Sequence, residues 1–159
     1  MVRIYYKADG LDPVDFAHCG LDHMTAARLL FDSDPSHFDS AGYLAHIGVE
    51  LLLKAWLLQV SGQFDGIHIL SKLYRQLESK CGAPKLKVSQ ADIMNVLDQY
   101  EQLRYPNPKQ PTEVGDDDWP QIEDLVGFIC RAMPQEIPDA LERVASNRKA
   151  GRVLMLKRI

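Results

Sequence analysis

Residues 40–61 read SAGYLAHIGVELLLKAWLLQVS. The stretch is apolar nearly all round, through Leu51-Leu52-Leu53 and Trp56-Leu57-Leu58. It is too long for a buried strand, and Gly62 supplies a stop signal after Ser61. A helix with this pattern belongs in the middle of a bundle rather than on its surface. His46, Glu50, Lys54 and Gln59 make it too polar for a lipid-facing span. His46, Glu50 and Lys54 are spaced four apart, so they form one polar stripe on an apolar cylinder. Two readings of that stripe stay open. It is either a narrow solvent-facing seam with a weak Glu50–Lys54 pair, or a polar face turned to a groove or a second subunit.

Helical periodicity continues on both sides. Asp12 before Pro13 starts a first helix, about 13–31, and residues 32–37 break it. Gln63 to Gly66 reads as a connector. A third helix is predicted over about 67–79, with His68 opening it. Ser89 caps a fourth, to about Arg104, with Asp92 as its capping-box acid. The loop 105–117 carries Pro106, Pro108, Pro111 and Gly115 and cannot be helical. Asp118 caps a fifth helix ending near Met133, and a short one follows over about 138–146. Val2 to Tyr5 and Val153 to Leu156 are β-compatible. A lone two-stranded ribbon is marginal in water, so such strands must pack on the bundle or on another subunit. The fold class is all-α: an antiparallel bundle of four to five helices with short extended or β segments at the two chain ends. One domain is expected over 1–159, with a helical core over about 13–133.

The 159 residues carry 18 Lys+Arg against 22 Asp+Glu, a formal net charge of −4. By position this splits. Residues 143–159 hold six basic and no acidic residues, and residues 1–142 hold 12 basic against 22 acidic, −10. The basic tail, with Arg148, Lys149, Arg152, Lys157 and Arg158, either reaches for phosphate or folds back on the acidic body of its own dimer. The three cysteines, Cys19, Cys81 and Cys130, have long spacings and no C-x-x-C, so they read as small buried hydrophobes rather than disulfide or zinc partners. The N-terminus lacks a signal peptide's apolar stretch, and a cytoplasmic location without membrane contact is expected. No phosphate-loop, dinucleotide, metalloprotease or nucleophile-elbow motif occurs, so neither a cofactor nor a metal ion is expected.

Three pieces form a constellation: Ala45-His46-x-x-x-Glu50-x-x-x-Lys54-Ala55, Gly66-x-His68-x-Leu70, and Leu103-Arg104-Tyr105-Pro106. In order and spacing they resemble the HEPN domain (higher eukaryotes and prokaryotes nucleotide-binding), over about residues 13–133. The resemblance implies a helical bundle that forms a homodimer. It also implies pairing with a small nucleotidyltransferase, as in toxin–antitoxin or defence systems, or metal-independent ribonuclease activity. The ribonuclease branch carries an Arg followed four to six residues later by a His. Arg104 has no such partner, because the five histidines are His18, His23, His37, His46 and His68. Metal-free RNA cleavage needs groups that take and give protons, and an Arg cannot titrate usefully. The leading expectation is a non-catalytic nucleotide- or partner-binding module whose groove is lined by His46, Glu50, Lys54, His68, Arg104 and Tyr105, with nucleotide or RNA phosphate as ligand. The alternatives are a degenerate ribonuclease, with His46 or His68 standing in for the missing group, and a purely structural dimerisation module.

Overall fold

A computed structural model of the chain describes residues 2–100 and 114–156, the last ten of these as backbone. The architecture is all-α. In chain order it has β1 (Ile4–Tyr6), α1 (Pro13–Ser33), α2 (Phe38–Ser61), β2 (Gln63–Asp65), α3 (Leu70–Cys81), α4 (Val88–Gln99), α5 (Trp119–Ala132) and α6 (Glu136–Leu156). The α2 helix lies at the centre and packs on α1, α3, α4 and α5, as its all-round apolar sequence requires. It is long and apolar enough to cross a membrane by length and composition, but most of it is buried inside the bundle.

The ends of α1 and α2 follow local chemistry. Asp12 accepts the Val14 N–H at 2.8 Å, with Pro13 as the first helical residue. Gly62 closes α2 at φ +70°, a left-handed conformation that costs a side-chain-bearing residue. Other expected caps differ. The α4 helix starts at Val88, and Gln90 rather than Asp92 accepts the Lys87 N–H. Asp118 precedes α5, but its carboxylate takes the Gly115 N–H instead of capping the helix.

Helices α1 and α2 cross with almost no side chain between their backbones. A Cβ on Gly48 would lie 2.9 Å from the Gly20 carbonyl oxygen, and one on Gly20 would lie 2.9 Å from the Gly48 oxygen. On another face of α2, a Cβ on Gly42 would overlap the ring of the fully buried Tyr100.

The two chain ends differ in outcome. The expected strand at the start forms, and its partner is the segment read as a connector, Tyr5 opposite Phe64 in an antiparallel ribbon. The ribbon escapes the instability of an isolated hairpin because Phe64 is buried and meets both Tyr5 and Phe16 of α1. The segment Val153 to Leu156 is helical, continuing α6 well past Ser146. Leu and Met are strong helix formers, and a continuous apolar run lacks the alternation that marks a half-buried strand. The cysteines also differ: Cys19 and Cys81 are exposed and Cys130 is half-buried.

Candidate functional site

The stripe on α2 is not a solvent-facing seam. His46 is 2% exposed, Glu50 8% and Lys54 6%. Burying a charge without a partner is costly, so the arrangement around Glu50 must compensate. Lys54 Nζ donates to Glu50 Oε1 at 2.5 Å. His68 Nδ1 lies 3.1 and 3.2 Å from the two carboxylate oxygens. His46 Nε2 is 3.6 Å from Glu50 Oε2. One carboxylate thus sits among three nitrogen bases, two from its own helix and one from the segment before α3. Burial alone would raise the Glu50 carboxyl. The contacts from His46 and Lys54, with the charges of Lys54 and His68, outweigh it and hold Glu50 at about 2.

The acceptors fix the tautomers. A carboxylate only accepts, so His68 must donate from Nδ1, which leaves Nε2 as the free ring nitrogen. His46 Nδ1 is 2.9 Å from the Leu97 carbonyl of α4 and must likewise donate there. The Lys54 ammonium also faces the Phe64 ring, 5.1 Å from its centroid. Of the four residues only His68 reaches solvent, its side chain 40% exposed. His46 and Lys54 are engaged inside, so the solvent-facing member of the group is His68.

Neighbouring elements hold His68 in place. It does not open a helix: α3 begins at Leu70, and His68 lies in the extended segment between β2 and α3. The ribbon anchors that segment, since Gly66 N–H donates to the Arg3 carbonyl at 2.7 Å. A Cβ on Gly66 would press into the Arg3 oxygen and the Tyr5 ring, so the close approach needs glycine. From the other side, Asp98 of α4 accepts the N–H groups of Leu70 and Ser71, the latter at 3.1 Å. That carboxylate caps α3 from a different helix.

Sequence reasoning missed Asp98, Leu97 and Phe64. One faint signal existed for Asp98. Ile69-Leu70 offers no Ser, Thr, Asp or Asn cap, so the first N–H groups of α3 had to be satisfied from elsewhere. Of the expected groove, the structure brings together His46, Glu50, Lys54 and His68. Arg104 and Tyr105 lie outside the described residues. Of the basic tail, Arg148, Lys149 and Arg152 fall on the backbone of α6, and Lys157 and Arg158 lie outside the described residues. Among the described residues no group of three or more His, Cys, Asp or Glu side chains is placed to hold a metal ion.

A family model for the HEPN domain matches residues 19–131. No curated protein matches the chain. The matched region runs from α1 to the end of α5 and contains the whole Glu50 cluster with the helices that build it. The chain belongs to the HEPN domain family.

Proposed function

We propose that the protein is a non-catalytic nucleotide- or partner-binding module in which His68 is the group that meets the ligand. The observation that carries this reading is the Glu50–His68 contact. A buried carboxylate holds Nδ1–H and turns the one exposed member of the cluster toward solvent with a free Nε2. When protonated, that nitrogen donates to a phosphate oxygen; when neutral, it accepts from a sugar hydroxyl or base N–H. His46 and Lys54 hold Glu50 from inside the bundle and are themselves buried. The reading extends to a cytoplasmic protein, and to a homodimer paired with a small nucleotidyltransferase as the family resemblance implies. Calorimetric titration with ATP tests the ligand-binding part. The expected result is binding by the native chain, lost in His68→Gln with the fold unchanged. Binding that His68→Gln leaves intact contradicts the role of His68, and silence from the native chain leaves a protein partner as the ligand.

The same contact favours a second reading. An imidazole oriented by a carboxylate is also the arrangement of a general base. In that reading the protein is a degenerate ribonuclease, with His68 taking the 2′-OH proton and Arg104 stabilising phosphate charge. Labelled RNA incubated with the protein in a chelator separates the two. Cleavage lost in both His68→Ala and Arg104→Ala would replace the binding reading.

A further inference from the structure

The acidic body of the chain is not uniformly acidic. Residues 66–91 carry five basic residues, Lys72, Arg75, Lys80, Lys85 and Lys87, against Glu78 alone, a net +4. The rest of residues 1–142 holds seven basic and 21 acidic residues, or −14. All five cations are exposed. None forms an ion pair among the described residues, and the two carboxylates that reach α3 from outside the segment are engaged elsewhere, Asp65 with Gln76 and Asp98 with the Leu70 and Ser71 N–H groups. Like charges gathered on one segment repel each other and destabilise the compact state, so an unmatched group of five invites an anion.

A cavity of about 300 Å³ opens within this patch, between α3 and α4. Tyr74, Leu86 and Met94 give it an apolar wall, and Arg75, Lys85 and Asn95 a polar rim that also includes Glu78. Its volume is at the small end of the range for small-molecule sites. A row of cations beside a half-apolar slot is the arrangement that holds a single nucleic-acid strand: the backbone follows the charges and a base leaves the strand for the slot. Length decides against a mononucleotide. Lys72 and Lys80 are eight residues apart on α3, about 12 Å along the axis. One phosphate cannot serve both, but successive phosphates of a strand can.

We infer that the exposed face of α3, together with the loop 82–87, is a binding surface for single-stranded nucleic acid. The backbone lies along Lys72, Arg75, Lys80, Lys85 and Lys87, and one base seats in the α3–α4 cavity. The inference does not depend on the role of His68, although the cavity residue Ser71 lies only three positions beyond it in the chain.

Fluorescence anisotropy with the full chain tests it, using a labelled 12-nucleotide oligouridine, the matching DNA strand and a duplex across a salt series. The native chain binds both single strands more tightly than the duplex, and more weakly as salt rises. The triple variant Lys72→Glu, Arg75→Glu, Lys85→Glu changes only exposed side chains. It loses at least about tenfold in affinity at low salt, and its slope of log Kd against log salt falls by about 2, at about 0.7 per phosphate contact on a single strand. The control Arg148→Glu, Lys149→Glu, Arg152→Glu stays within about threefold of the native chain. Three results overturn the inference: no strand binding at low salt, equal or better binding of the duplex, or a loss produced by the tail control and not by the α3 variant. Strand binding that survives His68→Gln leaves this inference standing even where the reading of His68 fails.

Discussion

Glu50 is the residue on which the site turns. Its carboxyl sits at about 2 in place of the ordinary 4.5, held there against burial by His46, Lys54 and His68. A carboxylate lowered by folding contributes stability that is fully present above its unfolded value and lost as pH falls through its folded one. Held down in this way, the carboxyl contributes on the order of a few kcal/mol at neutral pH. Urea melts should therefore show native stability falling between about pH 5 and pH 2, and Glu50→Gln should lack this part of the fall. At pH 7 the same substitution leaves the Lys54 ammonium buried without its counter-charge and should cost about 3 kcal/mol. A loss well under 1 kcal/mol would mean that Lys54 escapes to solvent when unpaired. The spacing of His46, Glu50 and Lys54 was legible in the sequence, because residues four apart on a helix must be neighbours. Their burial was not, since a helix apolar on every side does not reveal which face its polar stripe presents. Nor was the contact with His68, which depends on how the segment between β2 and α3 is held.

Among the elements, α2 was readable almost to the residue, from its apolar run and from Gly62. The crossing of α1 and α2 was not, because nothing in either glycine's surroundings in the sequence marks it as a contact. Gly→Ala within a helix normally gains about 1 kcal/mol from propensity. At Gly48 the new methyl meets the Gly20 carbonyl and Met24 Sδ, the latter at 2.8 Å, so the sign should reverse. Thermal melts of Gly48→Ala should show a net loss of about 1–3 kcal/mol from overpacking. Gly62→Ala meets nothing within 4 Å but sits at φ +70°. It should lose about 1–2 kcal/mol from backbone strain alone. A stabilised Gly48→Ala would mean that the two helices can part at no cost. The misread elements share a cause. The connector became β2 where β1 offered it a partner, and Val153–Leu156 joins α6 instead of pairing. Strand formation depends on a distant partner that local sequence does not name.

At the scale of the whole molecule, charge is distributed by segment. A net −4 conceals a basic α3 face, a strongly acidic remainder and the basic residues of α6 and beyond. The proposed homodimer gives the last of these a role against the acidic body. Sedimentation of Arg148→Glu, Lys149→Glu, Arg152→Glu should show a weaker dimer at low salt, with the difference vanishing by about 0.5 M, where the screening length is only a few ångströms. A dimer constant unchanged at every salt concentration would remove the tail from the interface. The all-α class and the family were legible because a periodic pattern and three spaced motifs survive without any knowledge of contacts. The charge patch was equally visible as a count, but its meaning needed the cavity that α3 and α4 form between them. The central claim is that Glu50 holds His68 by Nδ1 and offers Nε2 to the ligand. Long-range ¹H–¹⁵N NMR of the histidine rings tests it most directly, read before and after addition of ATP. The account predicts a His68 ring protonated at Nδ1, whose Nε2 resonance moves on titration while that of His46 stays in place. A His68 ring carrying its proton on Nε2, or a titration that moves His46 and leaves His68 unchanged, would contradict it.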